Sequence, residues 1–254
     1  MFNSTTIERI FNAEIKTEPF NHIVIDDFFT DNFASALELE FPDYEDSRLY
    51  RYDNPIEVKR AMNLWDKFPK LTYNAFWFLC SPQFSELLSK KTGSDVYADY
   101  GLNGGGWHMH GNKGKLNIHQ DYSLHPKIPF ERKLNIIIYL SKDWNPEWGG
   151  GLEFWSHDAE KNKAKEMVKR IDVKFNRAVI FDTTQNSWHG LPGAINCPDN
   201  VYRKSLAVYY VQKPNEDTMQ NRSKAWYMPT EEQQNDQSVL DFIEVRKQTL
   251  PGAV

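Results

Sequence analysis

Three residues of this chain could share a metal ion, and they come from two short segments. His119-Gln-Asp121 is an H-x-D pair at the end of Lys115–Gln120, a run that reads as a strand. On a strand, residues i and i+2 point to the same face, so an imidazole and a carboxylate would project together. An isolated H-x-D often arises by chance and then sits on a surface. Here the apolar run Ala178–Phe181 follows downstream, and after it a turn that delivers His189. A third donor at that point would place two imidazoles and one carboxylate on one face of an ion. Such a set suits non-heme iron(II) and leaves three coordination positions open.

A second constellation lies in VYRKSLAVYYV, the last strand-like run. Period-2 alternation sends Arg203, Ser205, Ala207 and Tyr209 to one face, and Lys204, Leu206, Val208 and Tyr210 to the other. Arg203 and Ser205 together could hold a carboxylate inside a barrel, the first by a charge-assisted fork and the second by a hydroxyl. Each part has an ordinary reading when taken alone. His189 could be a turn histidine, and Arg203 the exposed start of a strand. What argues for chemistry is the combination of order, spacing and strand placement.

The elements that must position these groups follow from pattern. Ser4–Phe11 reads as a short helix and His22–Asp26 as a strand, and Asp31 caps an amphipathic run through Leu37, Leu39 and Phe41. Leu71–Lys91 reads as helical, broken near Ser81-Pro82. After Gly93 come short strand-like runs: Val96–Tyr100, Trp107–His110, Lys115–Gln120, Leu134–Leu140, Leu152–Trp155, Ile171–Phe175, Ala178–Phe181 and Ser205–Val211. This predicts a mainly β fold with flanking helices, a jelly-roll or barrel. The expected organisation is one domain over 1–254, with a helical front and an early strand (1–92), a β core (93–212) and a polar tail (213–254). In that tail Ser238–Leu250 reads as a docking helix through Leu240, Ile243 and Phe242. Lys161–Arg170 reads as a solvated charged loop or helix. His108 and His110 share one face of their run and read as ordinary polar strand residues, with the barrel mouth as the alternative. Gly149-Gly-Gly151 reads as a turn into a strand.

Composition removes several function classes. Hydrophobic residues make up 40%, enough to bury a core, and aromatic residues 14%, which suits a β-rich one. A net charge of −5 and a pI near 5.8 argue against a broad nucleic-acid or anionic-membrane footprint. No apolar run reaches membrane-spanning length, and the opening residues do not read as a secretory signal. Only Cys80 and Cys197 are present, too few for a disulfide scaffold or a cysteine zinc site. The expected setting is cytoplasmic.

The motifs GNKG ahead of IHQD, RKLNIIIYLSKDW, WGGGLEFW, FNRAVIFD, the WHG around His189 and RKSLAVYY stand in an order that resembles the Fe(II)/2-oxoglutarate-dependent dioxygenases. The similarity is to their prolyl 4-hydroxylase type, including the hypoxia-sensing enzymes, and runs from about His22 to Gln212. The resemblance implies a double-stranded β-helix, with Fe(II) bound by His119, Asp121 and His189. It also implies 2-oxoglutarate as cosubstrate, its distal carboxylate paired with Arg203 and touched by Tyr139, with O2 as oxidant and ascorbate in support. Asn135 shares strand parity with Tyr139, and Ser205 completes an R-x-S pattern. Collagen-type relatives anchor the carboxylate with lysine, where Arg203 stands here. Met109 takes the place of a tyrosine near the cosubstrate in hypoxia-type relatives. The implied reaction is hydroxylation of a C–H bond in an amino acid or peptidyl residue. Related halogenases lack the carboxylate ligand that Asp121 supplies. Two alternatives stay open. One is tailoring of a small metabolite or nucleoside, for which Trp107, Trp144, Trp148, Trp155 and Trp188 could offer stacking surface; the other is a noncatalytic barrel.

Overall fold

The computed structural model describes residues 4–215 and 225–248. The N-terminal third contains α1 (Ser4–Asn12), β1 (His22–Ile25), α2 (Asp31–Leu39), β2 (Tyr50–Asn54), β3 (Glu57–Met62), α3 (Lys70–Leu79) and α4 (Pro82–Thr92). The last two are separate helices because Pro82 lacks an amide donor and clashes with the turn before it. Ser81 starts the new helix instead, its hydroxyl accepting from the Phe84 amide at 3.2 Å. In α2 the capping position belongs to Thr30, and Asp31 is the first helical residue. Its buried stripe is Phe33, Ala34 and Leu37, while Leu39 is 81% exposed.

The rest of the chain is mostly strand: β4 (Tyr97–Ala98), β5 (Gly106–His110), β6 (Lys115–Gln120), β7 (Glu131–Tyr139), β8 (Leu152–Asp158), β9 (Lys163–Ile171), β10 (Ala178–Asp182), β11 (Trp188–Leu191), β12 (Arg203–Gln212) and β13 (Trp226–Tyr227). One helix, α5 (Gln237–Gln248), follows. The strands form a single curled antiparallel sheet ordered β1-β10-β7-β12-β5-β3-β6-β11-β8-β9.

Three expectations need correction. The helical front contains a hairpin, β2–β3, whose second strand lies in the middle of the sheet. It pairs with β5 through Arg60–Met62 and with β6 through Glu57–Val58, so it forms the seam between the two halves of the roll. Gly106 permits this close approach: at φ +91° it lies where any Cβ would collide with the Met62 carbonyl. Second, Lys161–Arg170 contributes to an edge strand, β9, rather than a loop or helix. Its side chains are mostly solvated, and lysines on an edge discourage pairing with other chains. Third, Ile171 ends that strand, and the segment as far as Phe175 is a loop.

Alternation divides the strands between two cores. Leu206, Val208 and Tyr210 of β12, Ile136 and Ile138 of β7, and Trp107 and Met109 of β5 pack against the helices with Phe28, Phe76, Phe84 and Leu88. The opposite faces look into the roll, where Phe20, Phe154, Phe181, Leu152 and Leu191 fill one end. α5 docks on the sheet as expected, but through Val239 and Ile243 against Ile56, with Phe242 and Tyr227 half-buried. Leu240 is only partly covered. Leu250 and the stretch 216–224 lie outside the described residues. No helix among those described is long and apolar enough to cross a membrane.

Candidate active site

The roll interior is polar where β6 and β11 meet. These strands pair with His119 directly opposite His189, which brings the imidazole rings to 4.3 Å between centroids. His189 therefore sits on a strand, not in a turn. The segment Trp188–Leu191 is too short and too mixed to show periodicity by itself. Asp121 lies just past the end of β6 and still turns inward. Its Oδ1 is 3.8 Å from His119 Nε2 and its Oδ2 is 3.7 Å from His189 Nε2. These separations exceed hydrogen-bond length. Each imidazole is oriented by the carbonyl two residues before it: Asn117 O lies 3.0 Å from His119 Nδ1, and Ser187 O lies 2.8 Å from His189 Nδ1. That leaves Nε2 of both rings facing Asp121, and all three donor atoms lie within 4.8 Å of one another.

The electrostatics suit a cation. Burial, with His189 alongside, pushes His119 down to about 4, so its lone pair is available at neutral pH. Burial alone would raise the Asp121 carboxyl, but His189, Arg132, His119 and a tyrosine hydroxyl outweigh it and hold the group below its ordinary range. That tyrosine is Tyr209, whose hydroxyl lies 3.0 Å from both Asp121 oxygens. Arg132 approaches Asp121 to 3.5 Å and is sandwiched between the rings of Tyr122 and Tyr209, at 3.7 and 3.6 Å. On the side of the seam, Tyr227 of β13 stacks on His119 at 5.3 Å and 16°. The sequence reading gave no role to Tyr209, Arg132 or Tyr227. For Tyr209 the signal was present, since it shares the parity of Arg203.

Arg203 is buried on the same inward face of β12. Its Nε donates to the Gly150 carbonyl at 2.8 Å and its Nη2 to the Tyr139 hydroxyl at 3.3 Å. The chain can bring Gly150 this close because it has no Cβ, which would press on Arg203 and Ile195, and because its φ is +74°. Lys204 points the other way and pairs with Glu38 of α2. Ser205 stands opposite Tyr139 in the β12–β7 ladder, and Asn135 stands opposite Tyr209. Ser205 Oγ and Asn135 Oδ1 are buried with no hydrogen-bond partner among the described residues. Arg203 has no carboxylate partner among them either. A buried guanidinium flanked by unmet polar atoms fits an anionic ligand. Met109 does not approach this wall; it packs among the helices, and its neighbours His108 and His110 face inward instead.

Residues 105–211, which contain every one of the expected site residues, match the family model of the 2OG-Fe(II) oxygenase superfamily. By that match the segment is a 2OG-Fe(II) oxygenase domain, and it makes up somewhat less than half of the chain. The chain is 24% identical over 200 residues to the mouse prolyl 3-hydroxylase OGFOD1, an alignment covering 76% of this chain. It spans 33% of that relative's length. Among solved structures, it is similar to a Pseudomonas putida prolyl-4-hydroxylase (TM-score 0.54, 12% identity, covering 83% of this chain and 99% of the other). It is also similar to the Trichoplax adhaerens prolyl hydroxylase in complex with a peptide fragment of the hypoxia inducible factor oxygen degradation domain (0.52, 14%, 82% and 87%). A third relative is SnoN, a non-heme alpha ketoglutarate dependent epimerase from nogalamycin biosynthesis (0.53, 12%, 99% and 92%). These likenesses establish the double-stranded β-helix fold, and they leave the substrate to be argued from the site.

Proposed function

We propose that this protein is an oxygenase that hydroxylates an unactivated C–H bond of an amino acid or peptidyl residue, in the manner of a prolyl hydroxylase. His119, Asp121 and His189 would hold Fe(II), and Arg203, Tyr139, Ser205 and Asn135 would hold 2-oxoglutarate. The observation that carries this reading is the shared interior of the roll. An imidazole pair with its carboxylate lies at β6 and β11, and a buried guanidinium with no carboxylate partner among the described residues lies on β12. Bound together with O2, the metal and cosubstrate supply oxidative decarboxylation to succinate and CO2, coupled to transfer of one oxygen atom into the C–H bond. The protein's residues perform the rest. His119 and His189 present lone pairs, Tyr209 and Arg132 fix the direction of the carboxylate, and Arg203 orients the dicarboxylate.

A peptidyl substrate is favoured by the names of the mouse and Trichoplax relatives. Trp107, Trp144 and Trp188 are buried in the cores, which removes them as a stacking platform for a nucleoside. Asp121 would fill a coordination position with its own negative charge, so the expected product is hydroxylated rather than halogenated. Both cysteines are buried and unpaired, which fits a reducing, cytoplasmic setting. Ascorbate would keep the metal reduced.

The test is succinate release from 2-oxoglutarate with Fe(II) and O2, run with proline-containing peptides and free amino acids, and mass spectrometry of each candidate. The expected result is iron-dependent succinate together with a one-oxygen gain on a peptide or amino acid. Succinate release without iron, or none under any condition, would overturn the reading.

A further inference from the structure

The histidines of this chain have hydrogen-bond partners with one exception. His22, His119 and His189 each place a ring nitrogen against a backbone carbonyl. His125 meets Asp99 and Asn103, and His157 accepts from the Trp188 indole. His108 is supported by the backbone of Gly104. His110 is 2% exposed, and neither of its ring nitrogens has a hydrogen-bond partner among the described residues. A buried imidazole that served packing alone would be costly in this state, because one nitrogen carries a donor and the other a lone pair.

Its position suggests what would meet it. In the β5–β12 ladder His110 stands directly across from Arg203, and His108 directly across from Ser205. Residues opposite each other on adjacent strands share a face and lie side by side. Trp107 and Met109 take the other face and join the helical core, so the inward parity of His110 is fixed by packing on both sides. Two further buried atoms on the inward wall, Ser205 Oγ and Asn135 Oδ1, also lack partners. Burial first, then the nearby Arg203, Lys59 and His108, push the His110 imidazole well below its ordinary range, so the ring is neutral and keeps one N–H to donate.

We propose that His110 is a cosubstrate-binding residue, its ring N–H donating to the carboxylate that Arg203 anchors. The site would then grip that carboxylate from two strands, with a charged fork on β12 and a neutral donor on β5. This rests on the reading that Arg203 binds 2-oxoglutarate. It adds a donor from a second strand to the proposed anchor, and it gives a function to a residue whose sequence context looked ordinary.

The test is calorimetric titration of 2-oxoglutarate into oxygen-free protein loaded with Mn(II), with 2-oxobutyrate, which lacks the distal carboxylate, as the companion ligand. Wild type, Arg203→Met, His110→Phe and His110→Gln are compared, and Mn(II) binding serves as the check on folding. A hydrogen bond to a charged acceptor corresponds to about tenfold or more in affinity. His110→Phe should therefore weaken 2-oxoglutarate binding by at least that factor, leave 2-oxobutyrate and Mn(II) unchanged, and be partly rescued in His110→Gln. Wild-type affinity for 2-oxoglutarate in His110→Phe, with Arg203→Met impaired, would overturn the assignment to His110 alone. So would equal weakening of both acids. If wild type does not bind 2-oxoglutarate, or Arg203→Met binds it normally, the reading of Arg203 itself fails.

Discussion

Two arginines are buried in the roll, and they are treated in opposite ways. Arg132 is held by the protein's own groups, although its Nε meets no hydrogen-bond partner among the described residues: it lies between the rings of Tyr122 and Tyr209, reaches the Tyr122 hydroxyl and the Asn103 carbonyl, and sits 3.5 Å from Asp121. Burial works against its charge, but Tyr122, Tyr209 and Asp121 outweigh it, and its pKa is raised. Arg203 has a backbone carbonyl and a phenol, and burial pushes its pKa down. The first guanidinium completes a structure already present in the protein. The second meets no carboxylate among the described residues, as the proposed anchor of an anionic cosubstrate would. Buried cations of the same type can therefore be sorted into support and reception by what surrounds them.

The sharpest way to break this contrast is to remove each charge without its bulk. Arg132→Met leaves Asp121 buried beside two unbalanced tyrosines, and loss of such a partner costs about 3–5 kcal/mol. Urea unfolding of the metal-free protein should show a loss of that order, and unchanged stability would mean that Arg132 is not the support described. Arg203→Met should leave the metal-free protein nearly as stable as wild type. It should nevertheless abolish the rise in melting temperature on adding 2-oxoglutarate with Mn(II), a loss of about 2–5 kcal/mol in binding. Lys204→Ala, on the opposite face, should bind 2-oxoglutarate normally; the reverse ranking of the two would place the wrong face of β12 inward.

A smaller effect is expected at the link between the support and the proposed metal ligands. Tyr209→Phe removes one hydroxyl from both oxygens of Asp121, worth about 1–2 kcal/mol. Iron affinity should fall by roughly tenfold, read by competition with a chelator. The smallest effect concerns pH. His110, which is buried, and His108, which is half-buried, are held well below their ordinary pKa in the folded state, while the unfolded chain protonates them near 6.5. The unfolded state therefore binds more protons below that pH, and metal-free stability should fall as pH drops from 6.5. His110→Phe should reduce the slope by one proton, about 1.4 kcal/mol per pH unit. An unchanged slope would mean that His110 is protonated in the folded protein.

Much of this contrast could be read from β12 in the sequence, because a strand between two cores keeps strict alternation. Arg203, Ser205 and Tyr209 on one side, and Leu206, Val208 and Tyr210 on the other, are legible without coordinates. The H-x-D segment was equally clear. β3 was not, since its residues satisfy one another by charge rather than by apolar alternation: Lys59 pairs with Glu57 at 2.7 Å, and Arg60 with Asp53 at 2.8 Å. The direction of His110 was hidden for a different reason. Gly-Trp-His-Met-His alternates cleanly, but which half faces inward depends on β12 and on the helices that receive Trp107 and Met109. Arg132 was hidden because its partners Tyr122 and Tyr209 are distant in sequence.

The seam strand sets the smallest piece of this protein that can fold. The segment matching the superfamily begins at residue 105, yet the strand joining its β5 to its β6 is Glu57–Met62. A fragment cut at the match would leave both strands with bare ladder edges, an invitation to aggregate. The roll also cannot close until a segment made about fifty residues earlier has been laid into its middle, which favours slow assembly governed by distant contacts. The hereditary unit of the protein and its physical unit therefore have different boundaries.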